Sequence, residues 1–281
     1  AAAAIEASPA IDHWQPGAAR TDAHNLLGHI GIDPDDEPGR RLTAAERRRL
    51  DALVARRVRG EPVALILGSV EFRGLEIRVR AGVFVPRGSS DLLAEQVIAP
   101  LRRRGHPVVV DVAAGTAPVG LAAANELPRG EVWALDIAAD AVALARLNAR
   151  RLRLTNFHAR AGDMLAPLPA RLRGEVDAFC IHPPYVARDE IDLLPAEVTD
   201  WEPVDTLTDH SDDGLGLVRR LATESIDWLR PGGRLHVEIS PRLSRQVATV
   251  LRRAGLVEVT TERDSEDATR VISGRRPGKT R

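Results

Sequence analysis

From residue 108 onward, short β-branched runs alternate with helical stretches, and this rhythm constrains the chain more than any other feature. Strands are expected over residues 108–112, 132–137, 157–162, 176–181 and 235–239. Helices are expected from Ser89 through Leu101, from Pro118, from Ala139, and over 215–229 and 241–254. Strands joined through helices run parallel, and the helices then cover both faces of the sheet. Pro107 stands just before the first strand, where a missing backbone donor is tolerated, and Pro118 suits a first helical position. Residues 257–261 and 270–272 break the rhythm, because a polar turn separates them. They are expected to pair antiparallel at one edge of a doubly wound α/β sheet.

A chain of 281 residues has room for about two domains. Residues 1–68 read as wholly helical, with Pro34, Pro38 and Gly39 separating two segments. Thr43 and Glu46 have the spacing of a capping box. Leu50, Leu53, Val54 and Val58 then recur on one face, and Gly60 ends the helix. Residues 70–80 alternate and turn at Arg73-Gly74, which predicts a hairpin. The expected division is a helical domain over 1–68, a hairpin linker over 69–82 and the α/β domain over 83–281.

Several function classes drop out. The longest apolar runs, residues 63–67 and 108–110, fall far short of the roughly 20 residues that cross a bilayer. The alanines at 1–4 are followed by Glu6 and Asp12, without the basic flank and apolar segment of a secretory signal, so a cytoplasmic location is expected. Cys180 is the only cysteine, which excludes an intrachain disulfide or a multi-thiolate metal site, and its apolar strand predicts plain burial. His13, His24 and His29 show no metal-binding company, His236 reads as a strand residue, and no metal is expected. The 39 basic residues, all arginine except Lys279, are balanced by 40 acidic ones. Arginine clusters at 47–49, 56–57 and 102–104 therefore read as solvated helix faces, and nucleic acid is not an expected partner.

The first strand of the α/β domain runs into Asp111-Val112-Ala113-Ala114-Gly115-Thr116-Ala117. Ligands of open α/β sheets bind at the carboxyl ends of such strands. A pyrophosphate wants several glycines there, whereas this turn keeps only Gly115 and begins with an acid that would repel phosphate. S-adenosylmethionine suits it better, being cationic and free of phosphate. Asp136 ends the second strand, where a carboxylate accepts hydrogen bonds from a ribose diol, and Asp163 follows the third, placed to meet an adenine amino group. Any one of these acids is equally a strand-end cap; three at successive strand ends point to a ligand.

The most specific signal is Ile181-His182-Pro183-Pro184-Tyr185 after the fourth strand, which holds the only tyrosine of the chain. Here the sequence resembles the release-factor glutamine methyltransferase family, whose motif at this place is asparagine-proline-proline-tyrosine. The resemblance extends through Gly60-Glu61-Pro62-Val63-Ala64, Ile66-Leu67-Gly68, Glu71-Phe72-Arg73-Gly74-Leu75, Val85-Pro86-Arg87, residues 111–115, Trp201-Glu202-Pro203, Asp213-Gly214-Leu215 and Pro231-Gly232-Gly233. It implies an N-terminal helical substrate-recognition domain, a hairpin linker and a Rossmann-like, seven-stranded class I methyltransferase domain. It also implies S-adenosylmethionine as cofactor and the side-chain amide nitrogen of a release-factor glutamine as acceptor. Asp111, Ala113, Gly115, Asp136, Asp163 and His182 would then touch the cofactor. The side chain of His182 and the carbonyl of Pro183 would accept the hydrogens of the amide, Tyr185 would wall the pocket, and Trp201-Glu202-Pro203 would close over it.

The departures shape the expectation. Ala113 and Ala117 stand where the family has glycine, a mild change on its face, and Gly88-Ser89-Ser90-Asp91 replaces a more acidic stretch. His182 stands where the family has asparagine. Its Nδ1 has about the reach of the amide oxygen and accepts one hydrogen bond when neutral, but imidazole can also act as a general base. That tips the reading toward a repurposed, small-molecule (biosynthetic) acceptor over release-factor glutamine. A nucleic-acid base, whose exocyclic amine is also a planar NH2, and a cofactor-binding protein without turnover are the other readings.

Overall fold

The computed structural model describes residues 1–11, 17–36 and 39–278; His13 and Pro38 lie outside the described residues. The N-terminal part holds helices α1 (Ala2–Glu6), α2 (Ala18–His29), α3 (Ala44–Val58) and α4 (Val63–Leu67), where the sequence predicts two segments. The capping box forms in both directions: Glu46 N–H donates to Thr43 Oγ1 at 3.3 Å, and Thr43 N–H donates to Glu46 Oε2 at 2.8 Å. Ile5, Leu26, Leu50 and Ile66 close a small core between the helices.

The hairpin follows as β1 (Ser69–Phe72) and β2 (Leu75–Arg78). Arg73 and Gly74 have φ of 50° and 74°, the two left-handed residues that a tight hairpin turn demands. Arginine is held in this costly conformation by Asp91, Glu95 and Glu126, each 2.7–2.8 Å from its guanidinium. Phe72, Leu75 and Ile77 pack into the core of the α/β part rather than the helical one.

The remainder is α5 (Ser90–Ile98), β3 (Val108–Val112), α6 (Pro118–Glu126), β4 (Glu131–Asp136), α7 (Ala139–Arg151), β5 (Phe157–Ala161), β6 (Val176–Ile181), α8 (Ala196–Thr199), α9 (Gly216–Trp228), β7 (Leu229–Glu238), α10 (Ser244–Arg253), β8 (Val257–Arg263) and β9 (Thr269–Arg275). The seven strands lie in the order β5-β4-β3-β6-β7-β9-β8. β3 to β7 are parallel, and β9 is antiparallel to both β7 and β8, which gives the expected C-terminal hairpin at the edge. Helices α5, α6 and α7 cover one face, and α9 and α10 the other. β6 is buried along its whole length, and sealing a side chain such as Phe179 contributes roughly 2–3 kcal/mol.

β7 begins six residues before the predicted strand, at Leu229 rather than Leu235. The register against β6 shifts between Val176 and Ala178, a bulge that accommodates Pro231 within a strand. Among the described residues no helix is long and apolar enough to cross a membrane. The chain runs outward through β3, β4 and β5 and then returns to the other side of β3 with β6. This reversal opens a crevice at the carboxyl ends of β3 and β6, where open α/β sheets take their ligands.

Candidate active site at the switch point of the sheet

The loop after β3 is built from left-handed backbone: Ala113, Gly115 and Ala117 have φ of 52°, 56° and 59°. The two alanines are therefore not mild replacements, because a Cβ in this region costs about 1–2 kcal/mol. Asp111 turns inward. Its Oδ2 accepts from Gly120 N–H at 2.9 Å, and Cys180 Sγ lies 3.6 Å from Oδ1. Burial pushes its pKa up to about 7, with the Gly120 bond opposing. Cys180 is buried as expected, and burial raises its pKa well above the thiol range.

Asp136 reaches across to the same loop, Oδ2 accepting from Gly115 N–H at 2.7 Å and Oδ1 from Ala138 N–H at 2.8 Å. A carboxylate has about four acceptor sites, so both oxygens retain capacity toward the crevice. The next residue, Ile137, is 76% exposed, a large apolar side chain at the mouth of the crevice. Asp163 lies farther out, exposed, with Arg220 of α9 2.7 Å from its Oδ1.

The turn after β6 carries the second half of the site. Its backbone is pinned by an antiparallel bridge between Tyr185 and Thr208, and the carbonyl of Pro183 accepts no hydrogen bond among the described residues. The Tyr185 ring lies parallel to the His182 imidazole, tilted 7° with centroids 5.8 Å apart, and Phe84 meets the imidazole edge-on at 5.5 Å. Burial raises the pKa of Tyr185 above the ordinary phenol value. His182 Nδ1 points at neither aromatic ring: it lies 3.3 Å from Ser90 Oγ and 3.4 Å from Glu238 Oε2. Its Nε2 has no hydrogen-bond partner among the described residues. Burial holds the imidazole pKa below 6.5, with Glu238 pulling it upward and Arg87 adding to the depression. The ring is thus neutral at pH 7.

Two residues around this corner, Glu238 and Phe84, carry no mark in the sequence expectations, and Ser90 is marked there only as part of a departure from the family. Glu238, at the carboxyl end of β7, is buried and accepts from Ser89 Oγ at 2.7 Å. Its strand-end position is the same signal that marks Asp136, so it was findable in principle. Phe84 and Ser90 gain meaning only from their distance to His182. Glu202, in the Trp201-Glu202-Pro203 segment, is buried with its Oε1 2.5 Å from Arg87 Nη2. Trp201 of that segment lies beside Gly60 of the helical part. Arg57 of α3, itself buried, lies 2.6 Å from Asp22 and 2.7 Å from Glu197 of α8, tying the helical part to the same segment.

Of the remaining histidines, His236 is a buried strand residue against Ser273 Oγ, its pKa lowered by burial to about 3. His29 is exposed. His24 does have acidic company, contrary to the sequence reading: its ring lies with Asp33 and Asp35, their ligand atoms within 4.8 Å of one another at the surface.

Comparison with known proteins places the chain. Residues 17–68 match the family described as PrmC N-terminal domain, and residues 104–213 match the family described as methyltransferase domain. The release factor glutamine methyltransferase of Burkholderia pseudomallei is 35% identical over 272 residues, covering 92% of each chain. That of Bordetella pertussis is 34% identical over 266 residues, covering 92% of this chain and 96% of that one. Among solved structures, a methyltransferase from Pyrococcus furiosus superposes with a TM-score of 0.54 at 17% identity, covering 73% of this chain and 90% of that one, a likeness of fold. The sheet order, the motif turns and kinship over nine-tenths of both chains agree, and the chain belongs to the release factor glutamine methyltransferase family, enzymes that transfer methyl groups from S-adenosylmethionine.

Proposed function

We propose that this protein methylates the side-chain amide nitrogen of a glutamine in a peptide chain release factor. The observation that carries the reading is the extent of the kinship: it covers nine-tenths of both chains, including the helical part as well as the transferase sheet. The small-molecule acceptor favoured by His182 alone finds no support in those relatives, all of which are release factor enzymes by name.

The residues present fit the cofactor. Asp136 keeps acceptor capacity for a ribose diol, exposed Ile137 offers an apolar face for adenine, and Asp163 flanks that end. Ala113 and Gly115 stand in the loop toward the amino-acid end, and Asp111, buried at the end of β3 behind it, braces that loop through the Gly120 N–H. Thr116 Oγ1 is buried there without a hydrogen-bond partner, a polar atom that a ligand can satisfy. When bound, S-adenosylmethionine supplies an electrophilic methyl on a sulfonium.

The work left to the protein is orientation. An amide lone pair is delocalised, so the NH2 group must be held with nitrogen toward the methyl and its hydrogens engaged elsewhere. The free carbonyl of Pro183 and the neutral ring of His182 sit on one turn and accept those hydrogens, while Tyr185 and Phe84 flank the planar amide. The helical part, residues 1–68, grips the release factor beside the Trp201 segment.

The test is incubation with S-adenosylmethionine and a purified release factor, followed by peptide mass spectrometry. One methyl group on a single glutamine is expected. An unmodified release factor, with methyl transfer to a metabolite fraction instead, overturns the reading.

A further inference from the structure

We infer that Glu238 is a positioning residue that fixes the tautomer of His182, holding the proton on Nδ1 and leaving Nε2 as a base toward the acceptor. The inference rests on the proposed acceptor site and goes beyond it, because asparagine, the family residue at position 182, can orient an amide but cannot take its proton.

The argument starts from a buried oxygen. Glu238 is 3% exposed, and its Oε1 is satisfied by the Ser89 hydroxyl at 2.7 Å. Oε2 is buried without a formed hydrogen bond, and the donor-capable group facing it is His182 Nδ1 at 3.4 Å. A carboxylate oxygen can only accept. Were Nδ1 to carry its lone pair, two lone pairs would face each other in a desolvated corner. With the proton on Nδ1 the contact becomes attractive, and Ser90 Oγ at 3.3 Å can accept from the same N–H. A hydroxyl serves either tautomer; the carboxylate serves one. The partner of one ring nitrogen thereby sets the chemistry of the other.

The consequence is a carboxylate–imidazole pair. As the new nitrogen–carbon bond forms, the sulfur–carbon bond breaks, and its electron pair stays on sulfur, leaving a neutral thioether. The nitrogen must then shed a proton, and His182 Nε2 receives it. The resulting imidazolium carries its Nδ1–H toward Glu238, and the proton afterwards passes to solvent. Burial keeps the resting ring neutral and hence ready to accept, and Glu238 offsets part of that burial once the ring is charged. The charged groups facing the ring are Glu238 from β7 and Arg87 from the segment before α5, while the phenol of Tyr185 stacks on its face.

Two measurements decide it. In cofactor-free protein, long-range nitrogen–proton correlation spectra are expected to show His182 with Nδ1 protonated and Nε2 bare, in the wild type and in Ser90→Ala alike. Glu238→Gln is expected to lower the His182 titration midpoint further and to reduce kcat on the release factor on the order of ten- to a hundredfold, with KM nearly unchanged. The acid limb of the kcat profile is expected to disappear in His182→Asn, as it would not for a purely structural ring. An Nε2–H tautomer in the wild type, or a His182 titration indifferent to Glu238→Gln, overturns the inference. The spectra need no methyl transfer, so an unmodified release factor with the expected tautomer would sink the proposed acceptor and leave the pair standing.

Discussion

Gly214 lies against the backbone carbonyl of Tyr185, so close that a Cβ at this position would overlap that oxygen. Its φ of +65° adds a conformational demand that side chains meet poorly. Gly214→Ala is therefore expected to destabilise the fold by about 2 kcal/mol or more. It should also displace Tyr185 from the face of His182, lowering kcat more than cofactor affinity. Denaturant unfolding and single-turnover kinetics check the two halves; wild-type values in both would show that the turn yields freely.

Asp111 gives a pH dependence with a definite sign. Its folded pKa of about 7 lies above the ordinary 3.8, because burial disfavours the charged form. Between these values the folded chain binds a proton that the unfolded chain has released, so this group's contribution is fully present below about pH 4 and is lost as pH rises through 7. The loss is on the order of 4 kcal/mol. Asp111→Asn, which keeps the acceptor for Gly120 N–H, should gain on the wild type from about pH 4 to about pH 7 in urea unfolding and level off above that. A difference that does not change with pH would place the carboxyl in a better-solvated setting.

Ala113 occupies the left-handed region without the freedom of glycine. Ala113→Gly is expected to stabilise the protein by up to about 1 kcal/mol, the relief of strain exceeding the added freedom of the unfolded chain. Thermal unfolding without cofactor is the measurement, and a lower melting temperature would mean that the Cβ packs better than its backbone suffers.

Ile137 separates binding from folding. At 76% exposure its truncation should change stability by no more than about 0.5 kcal/mol. Ile137→Ala should nevertheless weaken S-adenosylmethionine roughly tenfold, the loss of apolar surface covered by adenine. Calorimetric titration reads this directly, and unchanged affinity would remove Ile137 from the cofactor site.

Much of this was legible from the chain. The strand–helix alternation survives into the structure because the inner parallel strands are buried along their own apolar runs, as in β6, while the edge strand β5 alternates buried and exposed residues at its start. Asp111 and Asp136 were visible because acids at strand ends are rare among apolar neighbours. Glu238 has the same signature, yet its meaning depends on His182, far away in sequence and brought near only by the pairing of β6 with β7. The path of the segment between Tyr185 and Gly214, apart from its Trp201-Glu202-Pro203 motif, was illegible for a different reason. Its path, α8 included, is held by long-range pairs, Arg87 with Glu202, Arg57 with Glu197 and Arg242 with Glu190, rather than by local propensity. Nor does an alanine announce a left-handed backbone, so the strain at Ala113 and Ala117 emerged only from φ.

The bridge from Asp22 through Arg57 to Glu197 limits how such enzymes can be recombined. A chimera that takes its first sixty residues from a cousin and everything else from this chain inherits one half of a charge relay. Unless the donor brings a cation at the place of Arg57, the ion pair that joins α3 to Glu197 of α8 is lost, and the graft should dock more loosely even though every strand of the recipient remains intact.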